Sequence, residues 1–418
     1  MVSDNVKGLR DHPPGRAAAK QRIRDTIRRV AERHGYQPLE TPIIEDRSIL
    51  TSKFAGGEEI LKEMYTLTDN GERDLGLRYD LTVPFARFVA EHPELKKPFK
   101  RYQSGQVYRD GPIKHGRYRE FEQYDIDIVG SQNRLYDAEL ITIIDKVLSA
   151  LDIPHVIEVN TRSLLTGVIE HVGIHGGRAE DVILTIDKYE KIGRGGVAEE
   201  LEDKGIEDDT VTELLTVLDK SGGNEELLEH YSSYADIDDF STVHDHLAAS
   251  NVDYEVNPYL ARGLTYYTGT VFEAFTTTEF DRSIAAGGRY DSMISHLSDH
   301  DDDLPGVGAS FGVDTLVDCV STDASTYQDA LFIIPMMKAA EVVPRAETIR
   351  EQGVNVMVGD PDRQFGKNMD YADKEGFGYL LVIGDEERRS ESYTVKNMET
   401  GDETTVSLDE VGQAITDL

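Results

Sequence analysis

The chain has 418 residues, enough for two or three domains and a sizeable buried core. It carries 44 Lys and Arg against 79 Asp and Glu, a formal net charge of −35, and a single cysteine, Cys319. That inventory excludes an intrachain disulfide and a cysteine-built zinc site, and no apolar run approaches membrane-spanning length. The acids are spread along the chain, which fits a whole-surface adaptation to concentrated salt. On that reading net charge says little about partners, and local basic clusters say more. No apolar leader core begins the sequence, so a cytoplasmic protein is expected.

After a short arm, Pro14 to Arg33 is predicted as a helix with Ile23, Ile27 and Val30 as its apolar stripe; His34-Gly35 stops it. YQPLETPIIED reads as an extended strand with Pro42 inside, which implies an edge or interface position because proline cannot donate to a ladder. Met64 to Leu67 predict a strand, Asp69-Asn70-Gly71 a turn, and LGLRYDLT a further extended segment. Pro84 then falls in the first turn of a helix. Asp80 and Thr82 share a face if the strand continues; Thr82 is also suited to cap that helix.

The stretch from Arg101 to Ile128 reads as strand, loop, strand. YQSGQVY and FEQYDIDIV alternate, and a loop rich in Gly, Pro, Arg and Lys joins them. Arg109 ends the first strand, and Arg117 and Arg119 begin the second. Guanidinium groups at both rims suit a polyanion such as a triphosphate, whose oxygens the planar fork grips in pairs. On the second strand Gln123, Asp125 and Asp127 share one face.

Leu135 to Leu151 is a predicted helix and VIEVN a short buried strand. From about 163 to 245 the chain is helical, acidic and glycine-punctuated, and reads as an insertion whose basic concentration is Arg178, Lys188, Lys191 and Arg194. Strand character returns at YEVNPYLARGLTYYTGTVFEAFT, then SIAAGGRYDSMI, where Gly287-Gly288 permits close backbone approach. DLPGVGASFGVDTLVDCV is a glycine-rich strand leading into a helix, without the dinucleotide fingerprint; no GxxxxGK[ST] loop occurs. Beyond a polar linker, strands alternate with helices as in a small α/β domain.

Four of these segments, LRYDLTVPFAR at 77–87, YRDGPIKHGRYREFEQYDID at 108–127, LARGLTYYTGTVFE at 260–273 and AGGRYD at 286–291, occur in one order. Together they resemble the histidyl-tRNA synthetases of class II over essentially the whole chain. The wording YDLTVP and QYDID is similar to the archaeal and eukaryotic branch, and with the acidity suggests a halophilic archaeon. The resemblance implies an α+β catalytic domain on an antiparallel sheet at 1–325, with the insertion at about 163–245. It implies a C-terminal α/β anticodon-binding domain at 326–418 and a homodimer joined through the first helix and the Pro42 segment.

The implied substrates are L-histidine, ATP with Mg²⁺, and tRNA(His). The resemblance makes Arg109 and Arg262 catalytic, clamping the α-phosphate of ATP, with Arg117 and Arg119 as further ATP contacts. It assigns Asp80, Thr82 and Gln123 to the α-ammonium of histidine, and Asp127 with Tyr266 or Tyr267 to the imidazole. Lys114 and Arg117 on the loop would meet tRNA, and no protein-held metal is implied. One departure stands out: Thr315 occupies the place of the family's third-motif arginine. It lends weight to the alternative, a synthetase-like regulatory subunit of a histidine-biosynthetic phosphoribosyltransferase; the retained Arg109 and Arg262 and the full α/β tail oppose it.

Overall fold

The alternating segments pair into one large sheet. A computed structural model describes residues 5–52, 61–113, 118–261, 267–277, 283–297, 304–320 and 327–418. Contacts divide the chain into two compact units: residues 1–11 with 20–320, and residues 12–19 with 321–418. In chain order the strands of the first unit are β1 (Gln37–Pro38), β2 (Ile44–Asp46), β3 (Thr66–Thr68), β4 (Asp74–Leu77), β5 (Phe99–Tyr108) and β6 (Glu120–Val129). They continue with β7 (His155–Thr161), β8 (Glu255–Val256), β9 (Thr270–Thr276), β10 (Ser283–Arg289) and β11 (Gly306–Gly312).

Among the described residues the main sheet has eight strands in the order β1-β5-β6-β11-β10-β9-β7-β8. Its inner pairs are antiparallel, and the outermost pairs, β1 with β5 and β7 with β8, are parallel. A small sheet, β2-β4-β3, stands beside it.

The predicted YQPLETPIIED strand is two strands. β1 joins the main sheet and β2 the small one, with Pro42 at the crossover between them. A residue with no N–H belongs where the chain leaves one ladder for another. The Pro42 carbonyl is still used, as an acceptor for Arg78. LGLRYDLT likewise ends its ladder early, at Leu77, and the helix Thr82–Glu91 begins after an irregular link with Pro84 in its first turn.

The helix Pro14–Arg33 lies where it was predicted, with Ile23 and Ile27 fully buried. From it Lys20 and Arg24 reach Glu122, and Lys20 also meets Asp314 at 3.2 Å. This polar network sits on one face of β6, the face of Glu122 and Tyr124; the other face carries Gln123, Asp125 and Asp127. The insertion is helical, from Arg162–His171 to Asp238–Ala249.

The second unit holds β12 (Ala330–Pro335), β13 (Asn355–Val358), β14 (Tyr379–Ile383), β15 (Tyr393–Asn397) and β16 (Glu403–Val406) in the order β13-β12-β14-β15-β16. β12 pairs in parallel with β13 and β14, and β15 and β16 complete the sheet antiparallel. The helices Ala339–Glu351 and Phe365–Glu375 fill the crossovers, as strand–helix alternation requires. Among the described residues no helix is long and apolar enough to cross a membrane.

Candidate active site

The register of the central strands builds the site. One cross-strand rung runs Arg101 (β5), Asp127 (β6), Gly308 (β11), Gly288 (β10) and Val271 (β9). The next runs Gln103, Asp125, Ser310, Ala286 and Glu273, and a third aligns Gly105, Gln123 and Gly312. Large polar groups therefore stand on β5 and β6, facing small residues on β10 and β11.

The glycines are sterically required. A Cβ on Gly308 would lie 2.0 Å from Asp127 Oδ1, one on Gly306 2.4 Å from the Tyr290 ring, and one on Gly288 2.8 Å from the Tyr267 ring. Asp127, Tyr290 and Tyr267 thus lie flat across bare backbone. Both tyrosines belong to the apolar cluster of Tyr79, Val83, Phe85, Val129, Val271 and Met293 that supports this end of the site.

Asp127 is ion-paired with Arg101 at 2.7 Å, and the Tyr290 hydroxyl donates to its other oxygen. The Arg101 guanidinium is fully buried, stacks 4.2 Å from the centre of the Phe85 ring and donates to the Leu81 carbonyl at 3.3 Å. Burial raises the Asp127 carboxyl, with Arg101 and then Tyr290 opposing it. Burial raises Asp125 to about 7, Arg101 opposing and Asp127 adding to it, and raises Asp80 to about 6. Several buried polar atoms here, Arg101 Nε and Nη1, Gln123 Oε1 and Asp125 Oδ1, have no hydrogen-bond partner among the described residues. Such a group is costly unless a ligand completes it.

Asp80 and Thr82 reach the site by a route different from the predicted one. The strand does not continue through them. Instead Asp80 Oδ1 accepts from Val83 N–H at 3.0 Å, so Asp80 and not Thr82 caps the helix Thr82–Glu91. Thr82 Oγ1 turns toward Asp125 Oδ2 at 3.5 Å. Gln123 donates to the Ser310 hydroxyl at 3.0 Å.

Arg109 follows the last residue of β5, on the same side as Arg101 and Gln103. Its Nε donates to the Tyr79 carbonyl, and its guanidinium lies 5.1 Å from the Phe121 ring centre. Its charge, after the Val83 N–H, opposes the rise that burial imposes on the Asp80 carboxyl. Arg119 pairs with Asp110 at 2.9 Å near the mouth of the hairpin. Lys114, Arg117, Arg262 and Tyr266 lie outside the described residues. Thr315 is half-buried in the short helix Val313–Cys319.

Two residues of the site were not singled out in the sequence. Arg101 opposes Asp127 directly, a pairing visible only once the hairpin register is known. Tyr290 was inside the quoted AGGRYD segment without a role. Its neighbour Arg289 is structural: fully buried, it pairs with Asp137 on the helix Leu135–Ala150 and with Asp291 at 3.1 Å.

An antiparallel sheet bearing this hairpin, with an α/β unit after it, has the architecture of a class II aminoacyl-tRNA synthetase. A profile of histidyl-tRNA synthetases matches residues 8–316, and one of anticodon binding domains matches residues 331–418. The chain is 39% identical over 411 residues to histidine–tRNA ligase 2 of Shouchella clausii, covering 96% of this chain and 97% of that one. It is 38% identical over 424 residues to histidine–tRNA ligase 1 of Bacillus cereus, covering 98% and 96%. The crystal structure of histidyl-tRNA synthetase from Nostoc sp. superposes with a TM-score of 0.87 at 27% identity, covering 100% of this chain and 99% of that one. The chain belongs to the histidyl-tRNA synthetase family. These relatives are bacterial and lend no support to the expected archaeal and eukaryotic branch or to a halophilic source.

Proposed function

We propose that the chain is a histidine–tRNA ligase. The observation that carries this is the floor of the site: Asp127, Asp125 and Gln123 in line on β6, facing Gly308, Ser310 and Gly312. Neutral imidazole offers one donor and one acceptor. Asp127, ion-paired with Arg101, accepts the ring N–H, and the tyrosines beside it close the ring's other side. An amino acid lacking that N–H leaves the buried carboxylate short of a donor, which discriminates by about 10⁴-fold without editing.

In the first step a carboxylate oxygen of histidine attacks the α-phosphorus of ATP, and pyrophosphate leaves with the electrons of the broken P–O bond. Arg109 and Arg262 hold the α-phosphate as charge shifts across it, Arg119 and Arg117 serve the outer phosphates, and Mg²⁺ enters with ATP. In the second step a hydroxyl of the terminal ribose of tRNA(His) attacks the acyl carbon, and AMP departs. Lys114 and Arg117 steer that end of the tRNA. Phosphate contacts are weak in concentrated salt, so unpaired nucleotides are read by stacking and hydrogen bonding. The acids spread over the sequence support a cytoplasm rich in salt. The first helix and the Pro42 segment, with Ile43 and Ile44 exposed, support a homodimer.

The domain organisation is a catalytic domain at 1–325, carrying the insertion, and an anticodon-binding domain at 326–418. A regulatory subunit is not favoured, because residues 331–418 match an anticodon-binding domain. Histidine-dependent ATP–pyrophosphate exchange in concentrated KCl is the test. Exchange that needs histidine and collapses in Arg109→Ala supports the reading; histidine binding without exchange by the folded wild type overturns it.

A further inference from the structure

The N-terminal arm, residues 6–10, packs against the mouth of the β5–β6 hairpin. Leu9 N–H donates to the Val6 carbonyl at 2.9 Å and closes a four-residue turn. Gly8 is the third residue of that turn, with φ +91°, the left-handed backbone that a type II turn needs there and that glycine adopts without strain. The Gly8 carbonyl accepts Arg119 N–H at 2.9 Å. The same residue lays bare backbone under the Arg119 side chain: a Cβ on Gly8 would lie 2.7 Å from Arg119 Cδ and 3.1 Å from Ile113 Cδ1.

Two residues further on, the arm is anchored. The Arg10 guanidinium lies 3.6 Å from the centre of the Tyr118 ring, and its Nη2 pairs with Oδ1 of the buried Asp314 at 2.7 Å. Asp314 lies in the helix Val313–Cys319, and its other oxygen accepts Glu122 N–H at 2.7 Å. The topology explains why these groups meet. β11 stops at Gly312, opposite Gln123, whereas β6 begins at Glu120 and is paired with β5 to that end. Backbone donors on that edge of β6 have no strand across from them, and a buried donor without a partner is costly. The Asp314 carboxylate takes the one on Glu122. Just before the strand, Arg119 N–H goes to Gly8, while the Arg119 carbonyl accepts Arg109 N–H at 2.9 Å. The backbone of Arg119 thus joins the arm to the arginine placed at the α-phosphate.

We propose that the arm is a positioning element of the nucleotide site, with Gly8 and Arg10 as its positioning residues. Gly8 holds Arg119 by its backbone and from beneath its side chain. Arg10 covers Tyr118 and ties that limb of the hairpin to the helix bearing Thr315. The returning limb is thereby ordered before ATP arrives, and nucleotide binding does not have to supply that order. The inference rests on Arg119 serving the outer phosphates, and it adds the residues that place Arg119 there.

The test is histidine-dependent ATP–pyrophosphate exchange by the full chain in concentrated KCl, with the KM for ATP and for histidine read separately. Gly8→Val puts a branched side chain into the left-handed turn and against Arg119. It is expected to raise the ATP KM about tenfold, to leave the histidine KM within about twofold, and to add nothing further in an Arg119→Ala background. Arg10→Leu strains no backbone and is expected to act in the same way more weakly; Arg10→Lys, which keeps a cation for Asp314, recovers part of the loss. Melting curves establish that each variant is folded, and if Gly8→Val is not, Arg10→Leu decides. An ATP KM unchanged in both, equal rises in both KM values, or effects that multiply with that of Arg119→Ala overturn the proposal and leave the synthetase reading standing. Arg119→Ala with an unchanged ATP KM overturns it as well, because the arm then holds nothing that ATP touches. A folded wild type without exchange overturns both.

Discussion

Arg101 and Asp127 are directly opposed on β5 and β6, and their side chains meet at 2.7 Å with almost no access to water. Removing one partner of a buried pair strands the other, at about 3–5 kcal/mol. Arg101→Leu is therefore expected to lower stability in denaturant titrations by about that amount, and to abolish histidine-dependent exchange. Arg101→Leu with Asp127→Asn is expected to recover most of the stability and none of the exchange. Recovery of exchange would show that Asp127 need not be anionic.

Gly308 carries a steric prediction. An added methyl falls 2.0 Å from Asp127 Oδ1, so Gly308→Ala displaces the carboxylate that reads imidazole. Overpacking of this kind costs about 1–3 kcal/mol, and the fold is expected to survive it. The expected result is a histidine KM raised at least tenfold with the ATP KM nearly constant, measured by pyrophosphate exchange.

The raised carboxyls of Asp80 and Asp125 act on stability with a defined sign. Their folded values, about 6 and about 7, lie above the ordinary 3.8, so the folded chain binds more protons between roughly pH 4 and 7. These groups therefore weaken the fold as pH rises through that window. Asp125→Asn is expected to raise the melting temperature at pH 8 and to change it little at pH 4.

The opposite sign holds behind the sheet. Burial pushes Glu122 up, but hydrogen bonds from Arg24 and Ser104 and the charge of Lys20 outweigh it and leave its carboxyl below the ordinary 4.5. Asp314 is lowered too: Lys20, Glu122 N–H and Arg10 overcome its burial. Stability from this network is present above the ordinary carboxyl values and is lost as pH falls through the lowered ones. Glu122→Gln is expected to cost about 3 kcal/mol at pH 7 and progressively less as pH falls below the ordinary carboxyl range, by urea unfolding at a series of pH values.

Thr315 supplies a test by restoration. If Arg119 serves the outer phosphates in place of the third-motif arginine, Arg119→Ala raises the ATP KM about tenfold or more. Adding Thr315→Arg is expected to recover much of that loss. A tenfold effect of Arg119→Ala with no recovery would place the two positions on different parts of the nucleotide.

Much of the architecture was legible because it follows from local periodicity. The helix Pro14–Arg33, the paired strands around the motif loop, the helical insertion and the strand–helix alternation of the tail each repeat with a period that backbone geometry imposes. The face shared by Gln123, Asp125 and Asp127 follows from the same two-residue period.

The sequence could not show what stands opposite that face. The ladder placing Arg101 across from Asp127, and Gly308 beside it, joins residues far apart in the chain; only pairing of whole strands sets it. For the same reason Asp80 could not be recognised as the helix cap, nor Tyr290 as a partner of Asp127. The residue types at the site were thus present in the sequence from the start. Tertiary structure decided which carboxylate of that face pairs with Arg101, because that choice depends on register and burial rather than on any local pattern.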